Sequence, residues 1–244
     1  MPPEMAASLA LRRLSPELLD HLPASDPEAI GSRRDLARIN AIMFQAAIIC
    51  RRLRRDLQPP PRRILELGCG DGSFMLAVLK RLRRHWPGGE IVLLDRQDLV
   101  SPRRLDAFAE LGWQAETVTA DALEWMEHSP SAGFDLVTAN LFLHHFAEPG
   151  LTRLLAAAAQ LAPRFVAAEP SRSGIALAAT RLLRAIGANA VTLHDAAASV
   201  RAGFAGQELS LLWPGGPAMT TSEGSTGPFT HVFSARSTAP GAAR

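Results

Sequence analysis

The sequence predicts an α/β fold with a doubly wound, mostly parallel sheet, on three observations. Short runs rich in Ile, Val and Leu alternate with helix-like segments from Arg62 onward. The first run, Ile64-Leu65-Glu66-Leu67, passes into Gly68-Cys69-Gly70-Asp71-Gly72-Ser73-Phe74, which reads as strand, tight turn and helix. The chain has 244 residues, 47% of them hydrophobic, enough to bury one large core. Glycines at alternate positions let the main chain approach a ligand closely. At the carboxyl end of the first strand of such a sheet, that is where a nucleotide-like cofactor sits.

Composition narrows the class. The net charge is +2, so nothing drives the whole chain towards nucleic acid or membrane. Lys80 is the sole lysine, and tyrosine is absent, which rules out a tyrosine base. Cys50 and Cys69 give no disulfide framework and point to a reducing, cytoplasmic setting. Arg12 and Arg13 follow too short an apolar stretch for a signal peptide. The longest apolar segment, 154–168, is interrupted by Gln160, Pro163 and Arg164, so no membrane span is expected.

Residues 1–61 read as an N-terminal helical lid or extension, 62–237 as the core, and 238–244 as a flexible tail. Ser15 before Pro16-Glu17 and Asp26 before Pro27-Glu28 are helix starts. Leu36, Ile39, Met43, Ala46, Cys50, Leu53 and Leu57 form one stripe, which predicts a single helix over 32–57. It packs on the core, or serves as a lid or the seam of a homodimer. Arg51, Arg52, Arg54 and Arg55 crowd its last turns as a solvated face, and Pro59-Pro60-Pro61 marks the boundary. Strands are expected at 63–67, 90–95, 113–119, 134–140 and 164–169, with helices at 72–85, 102–110, 121–127, 149–162, 172–186 and 194–203. Gly187 is a C-cap. The alternation over 207–213 and 230–237 predicts two final strands, antiparallel at one edge of the sheet, joined by a Pro/Gly/Ser-rich loop over 214–228.

A Gly-x-Gly-x-Gly turn alone is weak evidence, and its charge says more. Glu66 and Asp71 flank the loop, where they would repel a pyrophosphate and suit a ligand with cationic groups. Asp95 ends strand two, where an acid bonds ribose hydroxyls, with Arg96 beside it. Asp121 follows strand three, where it accepts from an adenine amino group, caps a helix, or does both.

The set Glu66-Leu67-Gly68-Cys69-Gly70-Asp71-Gly72, then Asp95, then Asp121-Ala122, then 134–140 ending in Asn140, resembles the class I S-adenosylmethionine-dependent methyltransferases. Leu141-Phe142-Leu143-His144-His145-Phe146 resembles the same stretch of their ubiquinone- and menaquinone-biosynthesis type, which act on small phenols and quinols. The resemblance covers residues 62 to about 170 well. It implies a Rossmann-like, seven-stranded sheet with an inserted antiparallel strand, and S-adenosyl-L-methionine as cofactor. It implies that Glu66, Gly68, Cys69, Gly70 and Gly72 form the methionine-side loop. Asp95 would hold the ribose, with Arg96 beside it as a further cofactor contact, Asp121 and Ala122 would meet the adenine, and Asn140 and Leu141 the amino-acid end. The N-terminal helices would cover the acceptor, with Ile42, Met43 or Phe44 lining an apolar pocket.

His145 is the candidate general base for a phenol or enol, and His144 is assigned to packing. Glu169, at the end of strand five, binds the acceptor, orients a histidine, or caps the helix after Pro170. His194-Asp195 and Arg201 read as a helix cap and surface charge. No metal is expected, because adjacent histidines do not readily share one ion and no further ligands lie nearby in sequence. The acceptor is then a small aromatic, phenolic, quinol or polyketide-like metabolite methylated on oxygen or carbon. An NAD(P)-dependent oxidoreductase and a methyltransferase-like binding module without catalysis are the alternatives. Nucleic acid is not an expected partner: the segment after strand four lacks the Asn/Asp-Pro-Pro-aromatic signature, and neither cysteine follows proline.

Overall fold

A computed structural model describes residues 9–128, 133–216 and 219–238. Three helices precede the sheet: α1 (Leu18–His21), α2 (Pro27–Ile42) and α3 (Gln45–Asp56). Then come β1 (Arg63–Leu67), α4 (Ser73–Leu82), β2 (Gly89–Asp95), α5 (Pro102–Ala109), β3 (Trp113–Thr119), α6 (Ala122–His128) and β4 (Leu136–Asn140). A 3-10 turn (Leu143–His145) leads to α7 (Glu148–Leu161), β5 (Arg164–Pro170), α8 (Gly174–Thr180), α9 (Ala190–Ala202), α10 (Glu208–Leu212), β6 (Met219–Thr226) and β7 (Thr230–Ser237).

The seven strands lie in the order β3-β2-β1-β4-β5-β7-β6. The first five are parallel, and β7 runs antiparallel between β5 and β6. The apolar runs of β1, β2 and β4 are buried because helices cover both faces of the sheet. On one face Leu151, Leu154 and Leu155 of α7 and Met126 of α6 pack against Leu65, Val137 and Phe165. On the other, Ile49 and Leu53 of α3, Met75 and Leu79 of α4 and Phe108 of α5 pack against Ile64, Ile91 and Leu136. The carboxyl ends of β1, β2, β4 and β5 therefore share one rim.

Four expectations are corrected. The helix expected over 32–57 starts at Pro27, capped by Asp26, and breaks at Met43-Phe44, where Phe44 takes φ 55. The break lets two faces bury separately. In α2, Ser32 and Asp35 turn to α9, where Thr192 Oγ1 stands 3.0 Å from Ser32 Oγ and 3.2 Å from the Asp35 carboxylate. In α3, Ile49, Cys50 and Leu53 turn to the sheet. Ile42 and Phe44, expected to line a pocket, are 61% and 70% exposed at this corner.

Second, 207–213 is not a strand. Residues Glu208–Leu212 are helical, since Leu209 and Trp213, four apart, bury on one face and Glu223 accepts from the Leu209 and Ser210 amides. Third, the strand beside β7 is β6, inside the segment read as a loop. It is a largely exposed Thr/Ser edge strand that carries no apolar alternation to read. Fourth, the helix start read at Ser15 is a four-residue helix beginning at Leu18.

Gly187, with φ 79, ends a 3-10 turn (Arg181–Ile186) that continues α8. Residues 1–8 of the N-terminal extension, and the expected tail except Thr238, lie outside the described residues. Among the described residues no helix is long and apolar enough to cross a membrane.

Candidate active site

The β1–α4 turn is fastened to the end of β2. Leu94 O accepts from the Gly68 (2.9 Å) and Cys69 (3.1 Å) amides, and Asp95 Oδ2 accepts from Gly70 N at 2.8 Å. Gly68, Gly70 and Gly72 all take positive φ, 65, 54 and 73, which explains the alternate glycines. A Cβ on Gly68 would also come within 2.2 Å of the Phe142 ring. Cys69 is buried, and burial pushes its thiol far up, which keeps it in the neutral form.

The charge around this loop is distributed differently from the sequence reading. Asp71 accepts from Ser73 N and pairs with Arg104 at 2.8 Å, so its charge is spent on the helix start and an ion pair. Glu66 is unpaired: only 2% exposed, its Oε2 has no hydrogen-bond partner. Burial first, then the fields of Asp71 and Asp95, raise its pKa well above the ordinary value. Asn140 Oδ1 is likewise buried without a partner, one strand over, where β4 pairs with β1. Two orphaned acceptors at neighbouring strand ends suit a ligand carrying a cationic donor group.

The remaining cofactor candidates lie at or just past the ends of β2, β3 and β4. Asp95 also accepts from Gln97 N, and Arg96 is exposed next to it. Asp121 caps α6 through the Leu123 and Glu124 amides, while Ala122 is buried. Leu141 adopts φ 53, uncommon for a branched apolar residue, and its amide donates to Ala168 O at 2.8 Å. Phe142 stacks edge-on against Phe146, with centroids 5.0 Å apart.

Glu169 and His145, the two catalytic candidates, are not partners. Glu169 is fully buried at the end of β5 and bonds His144 instead. Its Oε1 accepts from the Phe142 and Leu143 amides, and its Oε2 from His144 Nδ1 at 2.7 Å. It thus caps the turn after β4 and orients His144, two of the roles open to it from the sequence. His144 is also buried, 3% exposed, with Nε2 3.3 Å from Glu17 Oε1. Burial disfavours the imidazolium, yet the Glu169 and Glu17 carboxylates outweigh it and push His144 up to about 9. Burial would raise Glu169 and Glu17, but the same histidine holds both below the usual carboxylate range. His145 is the exposed member of the pair, its Nδ1 3.5 Å from Asp20 Oδ2.

An N-terminal strap brings in groups that sequence reasoning missed. Arg12 donates to the carbonyls of Ala202, His144 and Phe146, and lies over the Phe204 ring at 4.2 Å. Arg172 Nε donates to Leu9 O. Asp195, read as surface charge, is buried and accepts from the Leu18 and Leu19 amides. Glu17 and Asp20 thereby reach the two histidines. No local pattern marked them, because their partners lie far along the chain.

A family model described as a methyltransferase domain matches residues 65–163. Among solved structures, the plantazolicin methyltransferase BamL, in complex with a triazolic desmethylPZN analogue and SAH, is similar with a TM-score of 0.62 at 12% identity, over 97% of each chain. An O-methyltransferase family protein from Burkholderia thailandensis aligns with a TM-score of 0.55 at 17% identity, over 98% of this chain and 68% of that one. The pyocyanin biosynthetic protein PhzM aligns with a TM-score of 0.56 at 19% identity, over 91% of this chain and 62% of that one. At such identities the likeness is one of fold. No curated protein matches the sequence.

Proposed function

On the premise that this chain is a class I, S-adenosylmethionine-dependent methyltransferase, we propose that it methylates a hydroxyl oxygen, or an activated carbon, of a small aromatic metabolite. The carrying observation is Glu66, a buried carboxylate with an oxygen lacking any partner beside a glycine turn. Such an environment answers the ammonium and sulfonium of S-adenosylmethionine and repels a pyrophosphate, so a nicotinamide dinucleotide is disfavoured. A methyltransferase in complex with SAH and an O-methyltransferase family protein are among the structures of similar fold, which supports this reading.

Bound there, S-adenosylmethionine supplies an already activated methyl group. Glu66, Asn140 and the 68–72 turn hold its methionine end in this reading, Asp95 and Arg96 its ribose, Asp121 and Ala122 its adenine, and Leu141 the amino-acid side. The chain's task is alignment and, for a hydroxyl acceptor, removal of a proton. His145 is the exposed imidazole beyond the β4 end and meets the acceptor. Glu169 is a positioning residue that fixes the turn on which both histidines sit. Residues 9–61 cover the acceptor side, with Glu17 and Asp20 facing the histidines.

Calorimetric titration with S-adenosylhomocysteine, in parallel with NADH, tests the cofactor. One-to-one binding of the former, weakened about 10–100-fold in Asp95→Ala, is expected from loss of charge-assisted hydrogen bonds. Binding of NADH alone would overturn the function, and undiminished binding by the variant would overturn the ribose assignment. Turnover on a panel of phenols and quinols, read as a mass gain of one methyl group, tests the acceptor class.

A further inference from the structure

Two histidines and two carboxylates meet where the strap crosses the turn after β4. One ligand atom each from Glu17, His144 and His145 lie within 4.8 Å of one another. A tetrahedral ion with bonds of 2.0–2.1 Å needs ligand atoms about 3.4 Å apart, so side-chain adjustment of about an ångström closes the set. Asp20 Oδ2, 3.5 Å from His145 Nδ1, is a fourth candidate ligand atom at the exposed edge.

A second, independent feature points to a ligand. His144 Nε2 is buried and makes no hydrogen bond, its one close neighbour among the described residues being Glu17 Oε1 at 3.3 Å. Its other nitrogen, Nδ1, bonds Glu169 at 2.7 Å. Once an ion displaces the Nε2 proton, a carboxylate on Nδ1 fixes the tautomer and aims the Nε2 lone pair, the usual arrangement behind a metal-bound histidine. The backbone amides that Glu169 also accepts hold that carboxylate in place.

We propose that Glu17, His144 and His145 form a site for a divalent transition-metal ion, with Asp20 or the acceptor's oxygen completing its coordination. Two imidazoles with carboxylate oxygen favour zinc, cobalt or iron over magnesium or calcium, which take oxygen ligands almost alone. The obstacle read from sequence, that nothing else lies near the adjacent histidines, disappears because the strap delivers Glu17. Where the acceptor's hydroxyl binds the ion, its pKa falls and its proton passes to solvent, so that His145 serves as a ligand and not as the base. This consequence rests on the methyltransferase reading, while the site itself does not.

The test uses the full chain, dialysed against a chelator and titrated with Co2+ and Zn2+. The expected result is one tight site, with the visible absorption of tetrahedral cobalt. Binding weakens strongly in Glu17→Gln and in His145→Ala, and about 10–100-fold in Glu169→Gln, which removes only the outer support. The Glu17 and His145 side chains are 13% and 29% exposed, against a fully buried Glu169, so those variants remain informative should Glu169→Gln fold poorly. No binding, or binding unchanged in Glu17→Gln and His145→Ala, overturns the site. S-adenosylhomocysteine affinity, measured on the same metal-free samples, reports separately on the methyltransferase reading.

Discussion

Glu169 and His144 form a hydrogen-bonded pair, Oε2 to Nδ1 at 2.7 Å, at the meeting of two strand ends, with the carboxylate fully buried and the imidazole 3% exposed. The pair joins β5 to the turn after β4 and so sets where His145 stands. Glu169→Gln turns an amide donor or a neutral oxygen toward groups that need an anion. Removing one partner of a buried pair costs about 3–5 kcal/mol. A large drop in Tm by calorimetry is therefore expected, and an unchanged Tm would mean that the pair does not hold the turn.

The metal-free protein should lose stability on both sides of neutrality. His144 is raised to about 9 in the folded state, so its contribution is complete below its ordinary value and fades as pH rises through about 9. Glu17 and Glu169 are lowered, so their contributions are present above the ordinary carboxylate value and fade as pH falls through the folded values. Tm measured between about pH 4 and 10 in chelator should form a plateau with two limbs. His144→Gln should flatten the alkaline limb, and a limb unaltered by that change would assign it elsewhere.

Glu66 sits under the glycine turn at a cost to the ligand-free fold. Its folded pKa is raised, so the stability associated with its proton is present below the unfolded value and lost as pH rises towards the folded one. Glu66→Gln should raise Tm at neutral pH while weakening S-adenosylhomocysteine binding. A variant that binds the ligand as tightly as the wild type would remove Glu66 from the cofactor site.

Gln45 is fully buried at the start of α3, and neither atom of its amide has a partner. Leaving such a group unsatisfied costs about 1–3 kcal/mol. Gln45→Met keeps the volume and removes the polar atoms, so a Tm gain in the ligand-free protein is the expected outcome. A Tm loss would reveal a partner for the amide.

The sequence by itself determined the parallel part of the sheet, the alternation of strands and helices as far as β5, and the glycine turn at the end of β1. Those features are local: unbroken apolar runs buried on both faces, glycines at positive φ, and caps such as Asp26 and Asp121 act over a few residues. It misread 32–57, 207–213 and 214–228 because burial, not propensity, chose between equal local options. Trp213 and Leu209 satisfy a helical face as readily as an alternating one, and an exposed edge strand of Thr and Ser needs no apolar pattern. Only the tertiary structure decided that Glu169 holds His144, that Arg104 neutralises Asp71 and leaves Glu66 alone, and that Glu17 reaches the histidines. Hydrogen bonds and charge pairs between distant segments depend on distances that the folded core alone sets.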